Sequence, residues 1–312
     1  MLPQQLQGRL SLPLIGAPMF IVSGPELVMA QCRAGIIGAF PALNARPQEL
    51  LDDWLGQINE MLGSEPDAAP FAVNQICHPS NKRLEQDVAL CVKHRVPIVI
   101  TSLSPPAEIV QAVHSYGGLV FHDVISMRHA RKAAAQGVDG LILVAAGAGG
   151  HAGQMSPFAL VNEARQWFDG CLILSGAMSS GSDILAAQVM GADLAYMGTR
   201  FIATKEARAS ADYKQMLIDS CAEDIVYSSL FTGVKGNYLR GSIAAAGLDP
   251  DHLPEGDISR MDFEEMTQGS KAWKDIWGAG QGVGSISDMV SASEVVGELA
   301  HQYTSAKAFF KK

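Results

Sequence analysis

The residue best suited to chemistry is a histidine surrounded by very small residues. His151 lies in the stretch AAGAGGHAG, residues 145–153. An imidazole titrates near neutral pH, so it can serve as a general base, as a proton donor or as a hydrogen-bond donor to a developing anion. The alternative to a chemical role is that His151 only makes a structural hydrogen bond. Because the neighbours are glycine and alanine, we expect the imidazole to face an open site.

Two further glycine-rich stretches follow apolar runs. They are SGAMSSG, residues 175–181, and MGTR, residues 197–200. Glycine lets backbone N–H groups approach a ligand closely, and successive loops of this kind commonly hold a phosphate. A tight turn between a strand and a helix is the alternative use of any single glycine. Two such loops in succession favour a phosphorylated ligand.

Other polar residues end apolar runs. Asn74 ends FAVN, and its amide suits the edge of a heteroaromatic ring, although a turn residue is an equal alternative. His122 and Asp123 end a later run, and with His151 they could ligate a divalent metal. The other runs end without an H-x-H pair, a lysine or a second carboxylate. A metal-dependent hydrolase is therefore the weaker alternative, and we predict no metal.

These residues need a scaffold that brings many strand ends together. Apolar runs alternate with segments of helical periodicity, which is typical of parallel strands joined by helices. Strands are predicted at 14–19, 35–40, 71–76, 97–102, 118–124, 140–146, 171–177 and 194–200. Helices are predicted at 25–34, 47–62, 82–94, 106–116, 126–136, 156–168 and 181–190. The pattern predicts an α/β fold, the TIM (β/α)8 barrel, with the candidate residues on its C-terminal face.

The pattern changes after residue 204. The stretch 205–275 is polar, with helical periodicity and no strand rhythm, so we predict an inserted helical lid domain near the C-terminus. Residues 1–204 and 276–312 would form the barrel. The aromatic residues in or beside the lid form either one side of a substrate pocket or, as the safer interpretation, the lid's own core. The lid contributes Lys235 and Asn237 together with the aromatic residues Tyr238, Trp273 and Trp277.

Composition narrows the partners and the compartment. The formal net charge is −9, which argues against nucleic acid and against an anionic membrane surface. The five cysteines are scattered, as reduced thiols of a cytoplasmic protein would be. The N-terminus has no signal-peptide pattern, and the longest uncharged run is too rich in glycine for a membrane helix. We therefore expect a cytoplasmic location.

Several motifs together resemble the nitronate monooxygenase family, formerly called 2-nitropropane dioxygenases. They are GAPM, VNQ, AGGHAG followed by PFALV, SGAM and ADLAYMGTRFIAT. The resemblance runs from residue 11 to 205 and resumes at GAGQGVGSI. The same family extends to flavin-dependent NAD(P)H:quinone reductases and to FMN-dependent enoyl-acyl-carrier-protein reductases.

The resemblance implies a TIM barrel that binds FMN at its strand ends and oxidises alkyl nitronates with O2 to carbonyl compounds and nitrite. His151 matches the family's active-site histidine. Contacts to the cofactor are implied at Ala17, Pro18, Met19, Asn74, His122, Gly149, Gly150, Ser175, Gly176, Ala177, Met197, Gly198, Thr199, Gln281 and Gly282. The expected partners are a small-molecule substrate and O2, with a homodimer as a possible assembly.

Two other functions stay open on the same fold. One is an NAD(P)H-dependent reductase of quinones or enoyl thioesters, and the other is a flavin-binding subunit without turnover of its own. Departures from the family pattern keep them open. Gly147 and Val144 stand where relatives often carry polar or acidic residues, and Asp123 stands where some relatives carry a lysine.

Overall fold

Eight parallel strands form a closed barrel at the centre of the molecule. The computed structural model describes residues 1–104, 107–257 and 275–309. The barrel strands are β1 (Leu14–Gly16), β2 (Ile37–Pro41), β3 (Phe71–Cys77), β4 (Ile98–Leu103), β5 (Leu119–Val124), β6 (Gly140–Val144), β8 (Cys171–Ser175) and β9 (Leu194–Met197). They follow one another around the barrel in chain order, and β1 pairs with both β2 and β9 to close it.

Helices surround the barrel and cover its outer face. They are α1 (Pro25–Arg33), α2 (Leu50–Gly63), α3 (Leu84–Lys93), α4 (Ala107–His114), α5 (Met127–Ala134), α6 (Pro157–Arg165), α7 (Gly181–Met190) and α8 (Thr199–Ile202). A last helix, α11 (Ala292–Phe309), packs against α7 and α1. The fold is the TIM barrel that the alternation of strands and helices predicts.

The strand side chains alternate between the barrel interior and the helical layer, as the two-residue period of a strand requires. Inside the barrel, buried side chains from all eight strands meet, among them Ile15, Ile37, Ala72, Ile98, Phe121, Ile142, Ile173 and Leu194. The residues next to them in sequence point outward and pack under the helices, among them Val73, Val99, Val120, Leu141 and Leu172. Apolar runs without polar interruptions are therefore buried on both faces.

Each predicted strand overlaps one barrel strand, and each predicted helix overlaps one observed helix. The main error lies at the carboxyl ends. The first strand was predicted to reach residue 19 but ends at Gly16, and the eighth was predicted to reach residue 200 but ends at Met197. In both places the chain leaves the sheet to form the mouth of the barrel.

The inserted segment contains strands that its sequence did not predict. Besides α9 (Ala211–Ile218) and α10 (Arg240–Ala245), it holds β10 (Ile225–Ser228) and β11 (Gly236–Leu239). These two strands form an antiparallel sheet with β7 (Gly150–His151), in the order β10–β11–β7. The expectation of a purely helical segment is therefore wrong, whereas its separation as a domain stays a prediction. Trp273 lies outside the described residues.

No helix in the described part of the chain combines the length and the apolar character that crossing a membrane requires.

Candidate active site

A cavity of about 400 Å³ opens at the carboxyl ends of the barrel strands. Its floor is made of one residue from each strand or from the position directly after it. Their side chains point into the barrel, because each stands an even number of positions after an interior residue. The floor consists of Ala17, Pro41, Asn74, Ser102, Asp123, Val144, Ser175 and Tyr196.

Most of the predicted site residues line this cavity. They come from strands and loops that are distant in sequence and that the barrel brings to one end. The lining members are Ala17, Pro18, Met19, Asn74, Gly149, Gly150, His151, Ser175, Gly198 and Thr199.

Four other predicted residues form a cluster around Gly147. The Gly147 carbonyl accepts hydrogen bonds from the backbone N–H of Gln281, at 2.9 Å, and of Ala177, at 3.2 Å. Gly176 precedes Ala177, and a side chain at Gly282 would come within 2.8 Å of the Ala177 carbonyl oxygen. Two glycine-rich stretches about a hundred residues apart in sequence are therefore joined here by their backbones.

His122 and Met197 do not reach the cavity. Both precede or follow an interior residue by one position, so their side chains point out of the barrel. The Nδ1 atom of His122 lies 2.8 Å from the Thr101 hydroxyl, and burial lowers the pKa of His122 to about 4. Met197 is 1% exposed and belongs to an apolar cluster. The structure therefore places neither side chain against the cavity.

The same alternation separates the residues considered for a metal. His122 and Asp123 are adjacent in β5, so they point to opposite faces of the strand and cannot converge on one ion. Among residues 1–104, 107–257 and 275–309, no three His, Cys, Asp or Glu side chains are grouped as metal ligands.

Gly149 shows why this loop uses so little side chain. A Cβ atom there would lie 2.8 Å from the backbone nitrogen of Gly280 and 3.0 Å from the carbonyl carbon of Ala279. Both are backbone atoms, so the neighbour cannot simply rotate away. At Gly150 the need is different, since φ is 65° and a Cβ atom would meet nothing within 4 Å.

His151 is held by the inserted segment. It pairs with Gly236 across the sheet of β7 and β11, and its Nε2 atom lies 2.8 Å from the hydroxyl oxygen of Thr232. The Thr232 hydroxyl oxygen lies 2.9 Å from the carbonyl oxygen of Val234 and 3.3 Å from its backbone nitrogen. The hydroxyl can therefore accept from the Nε2–H of one imidazole tautomer or donate to the bare Nε2 of the other. Burial lowers the pKa of His151 to about 4.

The His151 loop is also fixed by its backbone. The amide of Asn237 donates to the carbonyl of Ala148, at 2.6 Å, and the Tyr227 hydroxyl donates to the carbonyl of Ala152, at 2.9 Å. The glycines around His151 therefore do not leave it open, because strands from the insertion enclose it. Of the lid aromatics, Tyr238 is 1% exposed in the insertion's own core. Trp277 instead lines the cavity.

Trp277 contributes to a second wall of the cavity. Its ring stacks on Tyr213 with the ring centres 4.9 Å apart, and both residues line the cavity. The Tyr213 hydroxyl donates to the carbonyl of Gly278, at 2.5 Å. This aromatic pair, with one residue from the insertion and one from directly after it, gives the cavity an apolar wall.

The floor contains a chain of polar side chains that the sequence analysis did not bring together. The amide of Asn74 donates to the hydroxyl of Ser102, at 2.9 Å, and Ser102 donates to the Oδ2 atom of Asp123, at 2.6 Å. The buried Oδ1 atom of Asp123 makes no hydrogen bond to the described residues. Burial raises the pKa of Asp123 to about 6. Ser102 could have been found by following the two-residue period to the end of the strand.

Known proteins resemble this chain along most of its length. The nitronate monooxygenase family model matches residues 7–302. A nitronate monooxygenase of Metarhizium robertsii is 30% identical over 72% of this chain and 68% of that protein. A (3aS,4S,5R,7aS)-5-hydroxy-7a-methyl-1-oxo-octahydro-1H-indene-4-carboxyl-CoA dehydrogenase of Rhodococcus jostii is 25% identical over 73% of this chain and 62% of that protein. A nitroalkane oxidase structure from Streptomyces ansochromogenes has a TM-score of 0.83 at 22% identity, covering 98% of this chain and 100% of that one.

These similarities support different conclusions about the chain. The structural similarity shows the fold. The chain spans 64% and 62% of the length of two curated relatives that it matches. The family model, in contrast, covers the barrel, the insertion and most of the last helix. The chain therefore belongs to the nitronate monooxygenase family, a family of flavin-dependent oxidoreductases.

Proposed function

We propose that this protein binds FMN and oxidises alkyl nitronates with O2 to carbonyl compounds and nitrite. The observation that carries the proposal is the placement of His151 on a glycine loop that lines a cavity at the barrel mouth. Family membership and the relatives named as nitronate monooxygenases support it. The reaction balances when two nitronate anions and one O2 give two carbonyl molecules and two nitrite ions.

The cavity fits a flavin in size and in the chemistry of its walls. A volume of about 400 Å³ lies in the range of cofactor pockets, and the carboxyl ends of barrel strands are where such pockets form. At Gly150 a Cβ atom would meet no protein atom within 4 Å, so the space beside this backbone is open to a ligand. The residues that would hold FMN are Ala17, Pro18, Met19, Asn74, Gly149, Gly150, Ser175, Gly176, Ala177, Gly198, Thr199, Gln281 and Gly282.

Within this set the expected division follows the chemistry of each residue. Ala17, Pro18 and Met19 offer apolar contact to the ring, and the amide of Asn74 suits its polar edge. The small residues at Gly198 and Thr199 offer backbone N–H groups to the phosphate, whereas the N–H of Ala177 is already donated to the Gly147 carbonyl. When bound, a flavin supplies the electron-accepting and O2-reducing chemistry that side chains lack.

His151 supplies the proton chemistry. With its pKa lowered to about 4, it is neutral at pH 7 and can accept a proton. Thr232 holds the imidazole at its Nε2 atom, and in the tautomer that donates Nε2–H to Thr232 the accepting atom is Nδ1. A neutral imidazole can take a proton from the carbon acid of a nitroalkane, and the protonated form that results can hold the nitronate anion. Tyr213 and Trp277 cover the mouth and exclude water from this exchange.

The first experiment identifies the cofactor and the reaction. We expect a yellow purified protein that releases FMN on heating and consumes O2 when mixed with an alkyl nitronate, with nitrite as a product. NADH or NADPH should bleach the flavin only slowly without oxygen. A colourless protein with stoichiometric zinc or manganese would contradict the flavin assignment.

A second candidate is an NAD(P)H-dependent reductase of quinones or thioesters. The relative of Rhodococcus jostii that is named as a carboxyl-CoA dehydrogenase favours it. Fast anaerobic bleaching of the flavin by NADH or NADPH, with no turnover of nitronates, would select this function instead.

A further inference from the structure

A run of aliphatic side chains stands above one half of the cavity floor. Each of the first five strands contributes one such side chain from its carboxyl end or from the loop that follows. We call them the aliphatic arc: Ile21, Leu43, Ile76, Leu103 and Ile125. All five line the cavity, and none carries a charge or a hydrogen-bonding group.

Three members of the arc are exposed in a way that apolar side chains seldom are. Ile21, Leu103 and Ile125 are 39%, 41% and 42% exposed. Single exposed aliphatics are ordinary on protein surfaces, but here they lie together at the edge of one cavity. A contiguous apolar edge of this kind marks a place where an apolar ligand leaves water.

Two of these residues also have a strained backbone. Ile21 has φ 58° and Leu103 has φ 78°, in the left-handed region that disfavours residues other than glycine and asparagine. Asn44 fixes the first of them, because its side-chain oxygen accepts the backbone N–H of Ile21 at 2.9 Å. Ile21 is β-branched, and β-branched residues are the least suited to a left-handed backbone. We take this strain as a sign that the Ile21 side chain serves a ligand contact.

The opposite half of the cavity has a different character. We call it the glycine side: Gly149, Gly150, Gly198 and Thr199, with His151. Backbone amides and an imidazole suit a phosphate and an anionic head group, and they offer little contact to a hydrocarbon. A substrate with its reacting group beside His151 therefore has its remaining chain directed to the arc.

We propose that the aliphatic arc binds the hydrocarbon chain of the substrate, so that the preferred substrate is a nitronate of an unbranched medium- or long-chain alkane. This assignment deepens the proposed nitronate oxidation and rests on it. A short nitronate would reach His151 but leave the arc in water. Each methylene moved from water onto the arc favours binding by about fourfold.

The test compares primary nitronates made from nitroethane, 1-nitrobutane, 1-nitrohexane and 1-nitrooctane. We expect kcat/KM of the holoprotein to rise by about two- to fourfold per methylene until the arc is covered. In the variant Ile21→Asn/Leu103→Asn this slope should flatten. Asparagine tolerates positive φ, so these changes do not add backbone strain. Val189→Asn, at an apolar residue that is 78% exposed on α7, is the control and should keep the wild-type slope.

A binding measurement separates this assignment from the proposed reaction. Anaerobic calorimetry with the neutral nitroalkanes needs no turnover, and we expect Kd to fall as the chain lengthens. Chain-dependent binding without nitronate turnover would overturn the reaction and leave the arc as a hydrocarbon site. Nitronate turnover with a flat or falling dependence on chain length in both measurements would overturn the arc. The absence of both binding and turnover would overturn both.

Discussion

The two halves of the cavity mouth use the chain in opposite ways. On the glycine side, the closest contacts are between backbones, as between Gly149 and Gly280. On the aliphatic arc, side chains such as Leu103 and Ile125 extend into solvent from strand ends. The first arrangement suits a ligand that is recognised by hydrogen bonds and by close approach, and the second suits one that is recognised only by its apolar surface. One barrel end can thereby hold a cofactor and select a substrate with separate residues.

Among the glycines that line the cavity, the largest expected effect of an added methyl group is at Gly149. We expect Gly149→Ala to lower the free energy of unfolding by about 3 kcal/mol, because the added Cβ collides with backbone at Ala279 and Gly280. Bound flavin should fall with it. Gly150→Ala is the matched control, with open space but φ 65°, and it should cost only about 1 kcal/mol. Thermal unfolding and flavin content per chain measure both, and equal losses in the two variants would contradict the close approach.

The next effect concerns the floor between the two halves. We expect Asp123→Asn to raise the free energy of unfolding by about 2 kcal/mol at pH 8. Burial raises the pKa of Asp123 from 3.8 to about 6, so the folded state binds the proton more tightly than the unfolded state. Stability of the wild type is therefore lost as pH rises from about 4 to 6, and the variant should not show this loss.

Denaturant unfolding at pH 4, 6 and 8 measures this difference. Asp169→Asn, at an exposed aspartate, is the control and should follow the wild type at every pH. A difference between Asp123→Asn and the wild type that stays constant from pH 4 to 8 would show that the buried carboxyl does not titrate in this range.

The smallest effects are expected on the arc. Ile21→Asn and Leu103→Asn should each change the free energy of unfolding by less than about 1 kcal/mol, since relief of the left-handed backbone offsets the apolar contact that is lost. Leu43→Asn is the comparison, because Leu43 is 3% exposed and a polar group there would be buried, at a cost of about 2 kcal/mol or more. Equal losses at all three positions would make the arc part of the ordinary core.

The glycine side was predictable from sequence and the arc was not. Glycine and histidine in AGGHAG are unusual enough in sequence to indicate a ligand site by themselves. Ile76 and Leu103, in contrast, look like any other residue of an apolar strand, and their exposure depends on where the strand leaves the sheet. The backbone angles of Ile21 and Leu103 also depend on contacts made by distant residues such as Asn44.

The polar floor was within reach of the sequence. Extending the two-residue period of β4 and β5 places Ser102 and Asp123 inside the barrel and His122 outside it. The same rule places the side chain of Met197, one position after Tyr196, outside the barrel. The strands of the insertion could not be predicted from the sequence, because β10 and β11 have only four residues each. They are stabilised by pairing with one another and with β7.

The most direct test of the account is the replacement of His151 by asparagine in the flavin-loaded protein. We expect His151→Asn to keep its flavin and to lower kcat/KM for neutral nitroalkanes by about 100-fold or more, because the proton acceptor is lost. His129→Asn, at another histidine that lines the cavity, should lower it by less than about tenfold. Wild-type turnover by His151→Asn with full flavin content would contradict the central role given to this imidazole.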